Sequence, residues 1–471
     1  MRKLASIAAL ALLSGCAGAG SAAFAPGASR SSSLADANSG KYIKHIVLIV
    51  QENRSFDNLF ATFPGADGAT FGYYLKKVGG KYVKTKVTLK KYPLAGGIDI
   101  NHASAAYNYA CDGQDTYPKT SCDMDGFNLE GYSGNNPVQT IPYQYIDPAD
   151  IQPYWALAKQ YALADRLFQT QGSGSFTAHQ DLIVGGTAID PTDSLIDYPG
   201  PRNFTNWGCK ASKRHPKTRT SLLTTAGRYL SDKGPFPCLT YPTQTLNQLL
   251  DAKGVSWKYY APPYVSGNGD GSLWNAFAAI SSVFNGPDWE SNISIPETNV
   301  LTDIAQNQLP AVSWVIPRQA NSDHPGGKAN PTDDGPQWVA SIVNAVGQSD
   351  YWKTTAVVVF WDDWGGYFDH GPPAFFDDAG GLRFRVPMIV ISPYVPKGEI
   401  DHTQYEFGSI IKFVENTFAL GSMGTTDVRA RSMVNAFNFK QKPRAYVPIA
   451  SSLGVRFFRS LPPSYEPVDS E

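Results

Sequence analysis

The chain runs to 471 residues, 42% of them hydrophobic and 13% aromatic, so a large core can form. Its formal net charge is −1 and only 17% of residues are charged. With no basic run and no acidic tail, a nucleic-acid partner is not expected.

The first segment reads as targeting information. Arg2 and Lys3 supply a positive start, and Leu4 to Leu13 an apolar stretch too short to span a bilayer as a helix. Leu13-Ser14-Gly15-Cys16 resembles a bacterial lipoprotein cleavage box, which predicts a signal peptide over 1–15 and a lipid anchor on Cys16. Ala17-Gly18-Ala19 also fits the small-residue site of ordinary secretion. Either reading exports the protein, to the cell envelope or beyond it. The stretch 16–40, rich in Ala, Ser and Gly, reads as a flexible tether, and 41–471 as one domain. No later stretch is long and apolar enough for a transmembrane helix.

The first structured element is the apolar run Ile46–Val50, a predicted buried strand that ends abruptly on Gln51, Glu52 and Asn53. Cys111, Cys122, Cys209 and Cys238 then suggest two disulfides in an exported protein. Three pairings are possible; the sequential one closes the shorter loops, and no CxxC spacing marks a zinc site. Ile151–Ala164 reads as a helix. Asp190 to Pro237 has little periodicity and reads as an excursion. Thr243–Ala252 reads as a helix that stops before Gly254. Val255–Ala261, Ala311–Ile316, Ala356–Trp361 and Val386–Ile391 read as strands, Pro336–Val346 and Phe407–Leu420 as helices. Strands alternating with helices predict an α/β fold with a mostly parallel central sheet flanked by helices and long loop excursions. Ligands of such sheets gather beyond the carboxyl ends of the strands, where Glu52 and Asn53 fall.

The strand Ala356–Trp361 repeats the pattern of the first, ending on Asp362 and Asp363 before a turn at Gly365 and Gly366. Adjacent carboxylates at a strand end repel each other and resist desolvation, and a bound cation offsets that cost. A solvated acidic turn is the plainer reading. The matching Glu-Asn pair after another strand favours a divalent metal with hard oxygen ligands, or zinc.

"HIVLIVQENRSFDNLF", "CDMDGF", "SDHPGG" and "WDDWGGYFDHGPP", in this order, resemble the bacterial phosphoesterase family that contains phospholipases C and a group of acid phosphatases. The resemblance runs from about Lys44 to Glu415. It implies an alkaline-phosphatase-like α/β fold, one divalent metal ion and a Ser or Thr nucleophile. By resemblance Glu52 and Asn53 are one metal-binding pair, Asp362 and Asp363 the other, and Ser175 in "QGSGSFTAHQDL" the nucleophile and a further metal ligand. Gly174 stands where the family usually has Pro, and Ser173 and Thr177 compete with Ser175. His102 and His324 match positions that donate to the phosphate. His370 and His402 fall in family motifs with a supporting or structural role. His179 is expected to pack locally, and His45 and His215 to carry no role. Trp364 takes the place of a histidine found in many relatives. Asp125 and Gly126 fit a pocket rim or a turn beside a disulfide, and Tyr260 is a candidate substrate contact. The implied activity is hydrolysis of phosphate esters through a phosphoserine. An acid-phosphatase-like reaction is preferred over phospholipase C, because the larger phospholipases carry C-terminal β-modules for which little chain remains. A surface binding protein without turnover is the rival from another class.

Overall fold

The computed structural model describes residues 39–465, apart from 133–135, 138, 171, 198–207, 211–218, 235, 237, 264–272, 327–332 and 374–380. The predicted signal peptide, Cys16, almost all of the tether and His215 lie outside the described residues.

Five apolar runs become five strands. Ile46–Val50 forms His45–Gln51, buried at every position after His45. The others form Trp257–Tyr260, Val312–Val315, Thr355–Trp361 and Arg385–Ile391. Runs without polar alternation need cover on both faces, so these strands occupy the middle of the sheet. Across the sheet the order is Ile293–Ser294, Trp257–Tyr260, Val312–Val315, His45–Gln51, Thr355–Trp361, Arg385–Ile391, Ala162–Phe168 and Glu399–Asp401, with Tyr405–Glu406 also paired to Ala162–Phe168. Arg385–Ile391 runs antiparallel to both neighbours, and the other pairings are parallel. This is the expected α/β architecture.

Helices Gln152–Gln160 and Gly335–Gly347 pack together, as do Ser175–Val184 and Phe407–Phe418. The Leu246–Ala252 helix begins at Thr245, whose side chain and that of Gln248 form a reciprocal cap. Gly254 follows its end at φ +65°, a conformation open to glycine. Cys111 pairs with Cys122 and Cys209 with Cys238, the sequential connectivity.

One expectation needs correction. The helix predicted over Ile151–Ala164 stops at Gln160, and Ala162–Phe168 is a strand between Arg385–Ile391 and Glu399–Asp401. Helix-forming Ala and Leu yield there because backbone partners wait on both sides. The excursion Asp190 to Pro237 holds an antiparallel sheet of Asp193–Leu195, Thr220–Thr224 and Tyr229–Lys233.

Candidate active site

Strand register brings the two acidic pairs together. His45–Gln51 and Thr355–Trp361 are parallel neighbours in which Gln51 faces Trp361. The next residues out of the sheet are therefore Glu52 beside Asp362 and Asn53 beside Asp363. Backbone bonds hold this alignment past the strand ends: Asp362 N donates to Gln51 O at 2.9 Å, and Asn53 N donates to Asp362 Oδ1 at 3.0 Å. Asn53 has φ +59°, which asparagine tolerates better than most residues. Gly365, at φ +61°, lies so close to the Asn53 carbonyl that a Cβ there would collide with it. All four side chains are fully buried.

A third element supplies the hydroxyl. Ser175 is the first residue of the ten-residue helix Ser175–Val184, preceded by Gly174 in extended conformation. Its Oγ donates toward Asp363 Oδ2 at 3.2 Å and lies 3.4 Å from Asn53 Oδ1. The competing hydroxyls point elsewhere: Ser173 Oγ to Asp197 Oδ1 at 3.2 Å and Thr177 Oγ1 to the Gly174 carbonyl at 2.9 Å. A helix N-terminus carries partial positive charge, so Ser175 stands where an alkoxide or phosphate is favoured.

The four remaining ligand candidates divide into adjoining groups. Asn53 Nδ2 lies 3.4 Å from Asp363 Oδ2 and 2.7 Å from His102 Nε2. His102 Nδ1 meets the Ile100 carbonyl at 2.7 Å, which assigns its proton to Nδ1 and leaves Nε2 to accept from Asn53. Its Nε2 is 3.7 Å from Asp363 Oδ2. Glu52 and Asp362 instead share a group with His179, their ligand atoms all within 4.8 Å of one another. His179 Nε2 lies 3.0 Å from Glu52 Oε1 and 3.9 Å from Asp362 Oδ2.

This corrects the expectation that His179 packs locally. It stands one helical turn after Ser175, and i to i+4 spacing puts both on one helix face, the face turned to the acidic rim. That spacing was the available signal. Burial pushes the His179 imidazole down to about 4, against the pull of Asp362, so it is neutral and able to ligate. The set fits a divalent cation: two buried carboxylates and a neutral imidazole converge, and Asp362 Oδ2 accepts no hydrogen bond among the described residues.

His324 is buried on the same side, its ring 6.4 Å from that of His102 and 5.8 Å from Trp274. It is carried by Asp323, whose Oδ2 accepts from the Tyr154 hydroxyl at 2.7 Å and Trp361 Nε1 at 3.1 Å. Arg54 Nε donates to the Asp323 carbonyl at 2.8 Å. Burial pushes the Asp323 carboxyl up to about 6, despite these donors. Asp323 lies in the "SDHPGG" stretch but was passed over for His324, and Tyr154 falls within no recognisable spacing.

The remaining candidates have other partners. Tyr260 donates to Asp303 Oδ2 at 2.7 Å and Tyr259 to the Trp274 carbonyl at 2.7 Å. Asp125 pairs with Lys84 at 3.1 Å beside the Cys111–Cys122 bridge. Trp364 is buried against Phe127 and Phe384. His370 pairs with Asp57 at 2.7 Å, and the half-exposed His402 with Asp165 at 2.7 Å. His45 meets the Pro310 carbonyl.

The profile of the Phosphoesterase family matches residues 43–421. Phospholipase C B of Mycobacterium tuberculosis is 25% identical over 463 residues, 86% of this chain and 80% of that protein. A non-hemolytic phospholipase C of Burkholderia pseudomallei is 25% identical over 472 residues, 90% of this chain and 63% of that protein. Non-specific phospholipase C1 of Arabidopsis thaliana is 23% identical over 444 residues, 86% of this chain and 73% of that protein. Among solved structures, a protein in the alkaline phosphatase superfamily from Vibrio parahaemolyticus overlaps 83% of this chain and 71% of its own, at 10% identity and a TM-score of 0.38.

Proposed function

The chain belongs to the Phosphoesterase family and is a phosphoric ester hydrolase; from that premise we propose that it works through a phosphoserine at Ser175. The observation that supports this most directly is the Ser175 hydroxyl at a helix N-terminus, 3.2 Å from Asp363 Oδ2. Serine is a weak nucleophile at its ordinary pKa and needs an acceptor for its proton. Asp363 accepts that hydrogen, and His102, 3.7 Å from Asp363 Oδ2, holds the Asn53 amide in place beside it. Ser175 attacks phosphorus in line with the leaving oxygen. His324, on the same rim, is the group that supplies a proton to that oxygen. Water then releases the phosphoryl group and restores Ser175.

Glu52, His179 and Asp362 would hold one divalent cation, with Asn53, Asp363 and Ser175 adjoining. When bound, such an ion lowers the pKa of a neighbouring hydroxyl and neutralises charge that builds on phosphoryl oxygens. The chain's own residues fix where that charge goes, since they sit at strand ends and in the first turns of a helix.

Phospholipid diesters cleaved in the manner of a phospholipase C are the favoured substrates. The support is the naming of the three relatives above, each matched over more than four-fifths of this chain. Phosphomonoester hydrolysis, the acid-phosphatase reading, is the direct competitor. Export is part of the proposal, supported by the two disulfides, which persist in oxidising compartments. Lipidation of Cys16 is proposed on the leader sequence alone.

Purified protein should turn over phosphatidylcholine and lose that activity in chelator. Turnover of p-nitrophenyl phosphate alone would return the substrate to a monoester. A quenched reaction should trap phosphate on Ser175; full activity in Ser175→Ala would discard the nucleophile.

A further inference from the structure

The strands Phe71–Val78 and Lys81–Thr88 form a hairpin that takes no part in the catalytic rim. Its base is anchored: Gly72 lies directly on the Phe368 ring, five residues beyond Asp363. Tyr74 and Val87 lean on the aromatic cluster of Phe127, Trp364 and Phe368. Its tip is not. Val78 and Tyr82 are each 53% exposed, with Val83 and the turn glycines exposed beside them.

The charge of this segment is as unusual as its exposure. Between Gly68 and Ile98 there are seven lysines and no Asp or Glu, in a chain whose net charge is −1. Apolar residues interrupt the lysines, so no basic run stands out in the sequence. All seven are exposed. Lys84 and Lys91 pair with Asp125 and Asp147. Among the described residues, Lys76, Lys77, Lys81, Lys86 and Lys90 pair with no carboxylate.

Register interleaves the two chemistries. Tyr73 lies opposite Lys86, Leu75 opposite Lys84, Lys76 opposite Val83, Lys77 opposite Tyr82 and Val78 opposite Lys81. Lys86 sits 3.8 Å over the Phe71 ring. Lysines alone would be explained as guards against edge-to-edge strand pairing. That role does not explain why Val78, Tyr82 and Val83 are left in water at the tip, where a two-stranded ribbon gains nothing from them. Aromatic and aliphatic side chains flanked by cations match one surface in both respects: the interface of an anionic bilayer, apolar just beneath a negative headgroup layer.

We infer that this hairpin docks the protein on anionic lipid surfaces. The tip residues Val78, Tyr82 and Val83 enter the headgroup boundary and Lys76, Lys77 and Lys81 meet the lipid phosphates. Because the base rests on the loop that carries Asp362 and Asp363, docking holds the catalytic rim next to the surface. The inference does not depend on Ser175 being the nucleophile, and a catalytically dead protein docks equally.

The test is co-sedimentation of the full chain with vesicles of phosphatidylcholine, with and without 30% phosphatidylglycerol, read as a difference between variants. Wild type should bind the anionic vesicles more tightly. The triple variant Lys76→Glu, Lys77→Glu, Lys81→Glu should lose at least tenfold in affinity, since each lysine near such a surface contributes about fivefold. Val78→Ser with Tyr82→Ser should lose several-fold and retain the salt sensitivity that remains. Unchanged melting temperatures would establish that both variants fold, as expected for exposed positions. Equal vesicle binding by wild type and both variants would overturn the inference. So would tight binding to RNA or heparin with no binding to anionic vesicles. Loss of phospholipid turnover in Ser175→Ala with vesicle binding intact would separate this surface from the catalytic reading.

Discussion

Two clusters of carboxylates and a histidine draw their acidic residues from the same two stretches of chain, 52–57 and 362–369. In one, Glu52, Asp362 and His179 converge; in the other, Asp57, Asp369 and His370 do, and both sets would reach a metal ion by distance alone. The difference is Arg385. Its guanidinium meets Asp369 Oδ1 at 2.8 Å and Oδ2 at 3.1 Å, and lies 3.6 Å from Asp57. The second cluster is therefore neutralised from within, and its bonds tie loops together: Asp57 N to Asp369 at 3.2 Å, and His370 N to Asp57 at 2.8 Å. In the first cluster both carboxylates face His179, whose imidazole burial holds neutral. Buried carboxylates need a positive partner; an internal guanidinium serves the second cluster, and the first has the geometry to take a divalent cation.

That contrast can be broken in several ways. The largest effect should come from Asp362→Asn, with loss of bound metal and a fall in turnover of roughly 10³-fold or more, the scale of losing an electrostatic transition-state group. Asp369→Asn should keep its metal, as measured by elemental analysis of both proteins. Equal metal content in the two would erase the distinction. Next, Arg385→Met should strand Asp57 and Asp369 without their counter-charge. Breaking a buried pair in this way costs about 3–5 kcal/mol, visible as a lowered urea midpoint with little change in metal content. A stability near that of wild type would mean that the arginine is not the internal cation.

Gly365→Ala addresses the geometry of the first cluster. A residue with a Cβ at φ +61°, pressed on the Asn53 carbonyl, should cost about 1–3 kcal/mol and open the gap between the two acidic pairs. Activity should then fall more than stability, which parallel melting and rate measurements would separate.

The smallest effect belongs to His370. Burial works against its charged form, but the hydrogen bond and charge of Asp57, with Asp369 beyond, raise its pKa above the usual imidazole value. A raised histidine contributes stability that is full below the unfolded pKa, near 6.5, and fades as pH climbs through the folded value. Wild type should therefore exceed His370→Asn in melting temperature most at pH 5.5, with the gap narrowing in alkali. A gap that widens with pH would reverse the assignment.

Much of this site can be read from residues in order. The apolar runs at Ile46–Val50 and Ala356–Trp361 announce buried strands, and each ends on polar side chains that a core could not hold unaided. Ser175 is legible by resemblance, and the structure separates it from Ser173 and Thr177 by where the hydroxyls point. His179 was misread because its own helix offers a sufficient local explanation, while its partner Glu52 is 127 positions away. The same blindness hid the strand Ala162–Phe168, whose composition suits a helix and whose pairing partners lie beyond residue 384.

Hydrophobic periodicity and turn residues act over a few positions, so the sequence by itself determined most of the central strands, the α/β class and the polar pairs at two strand ends. Only the tertiary structure decided that Gln51 aligns with Trp361, that a helix start delivers Ser175 and His179 to the same rim, and that Arg385 occupies one cluster and not the other. Register and the compensation of buried charge depend on contacts between segments hundreds of residues apart, and no local pattern encodes them.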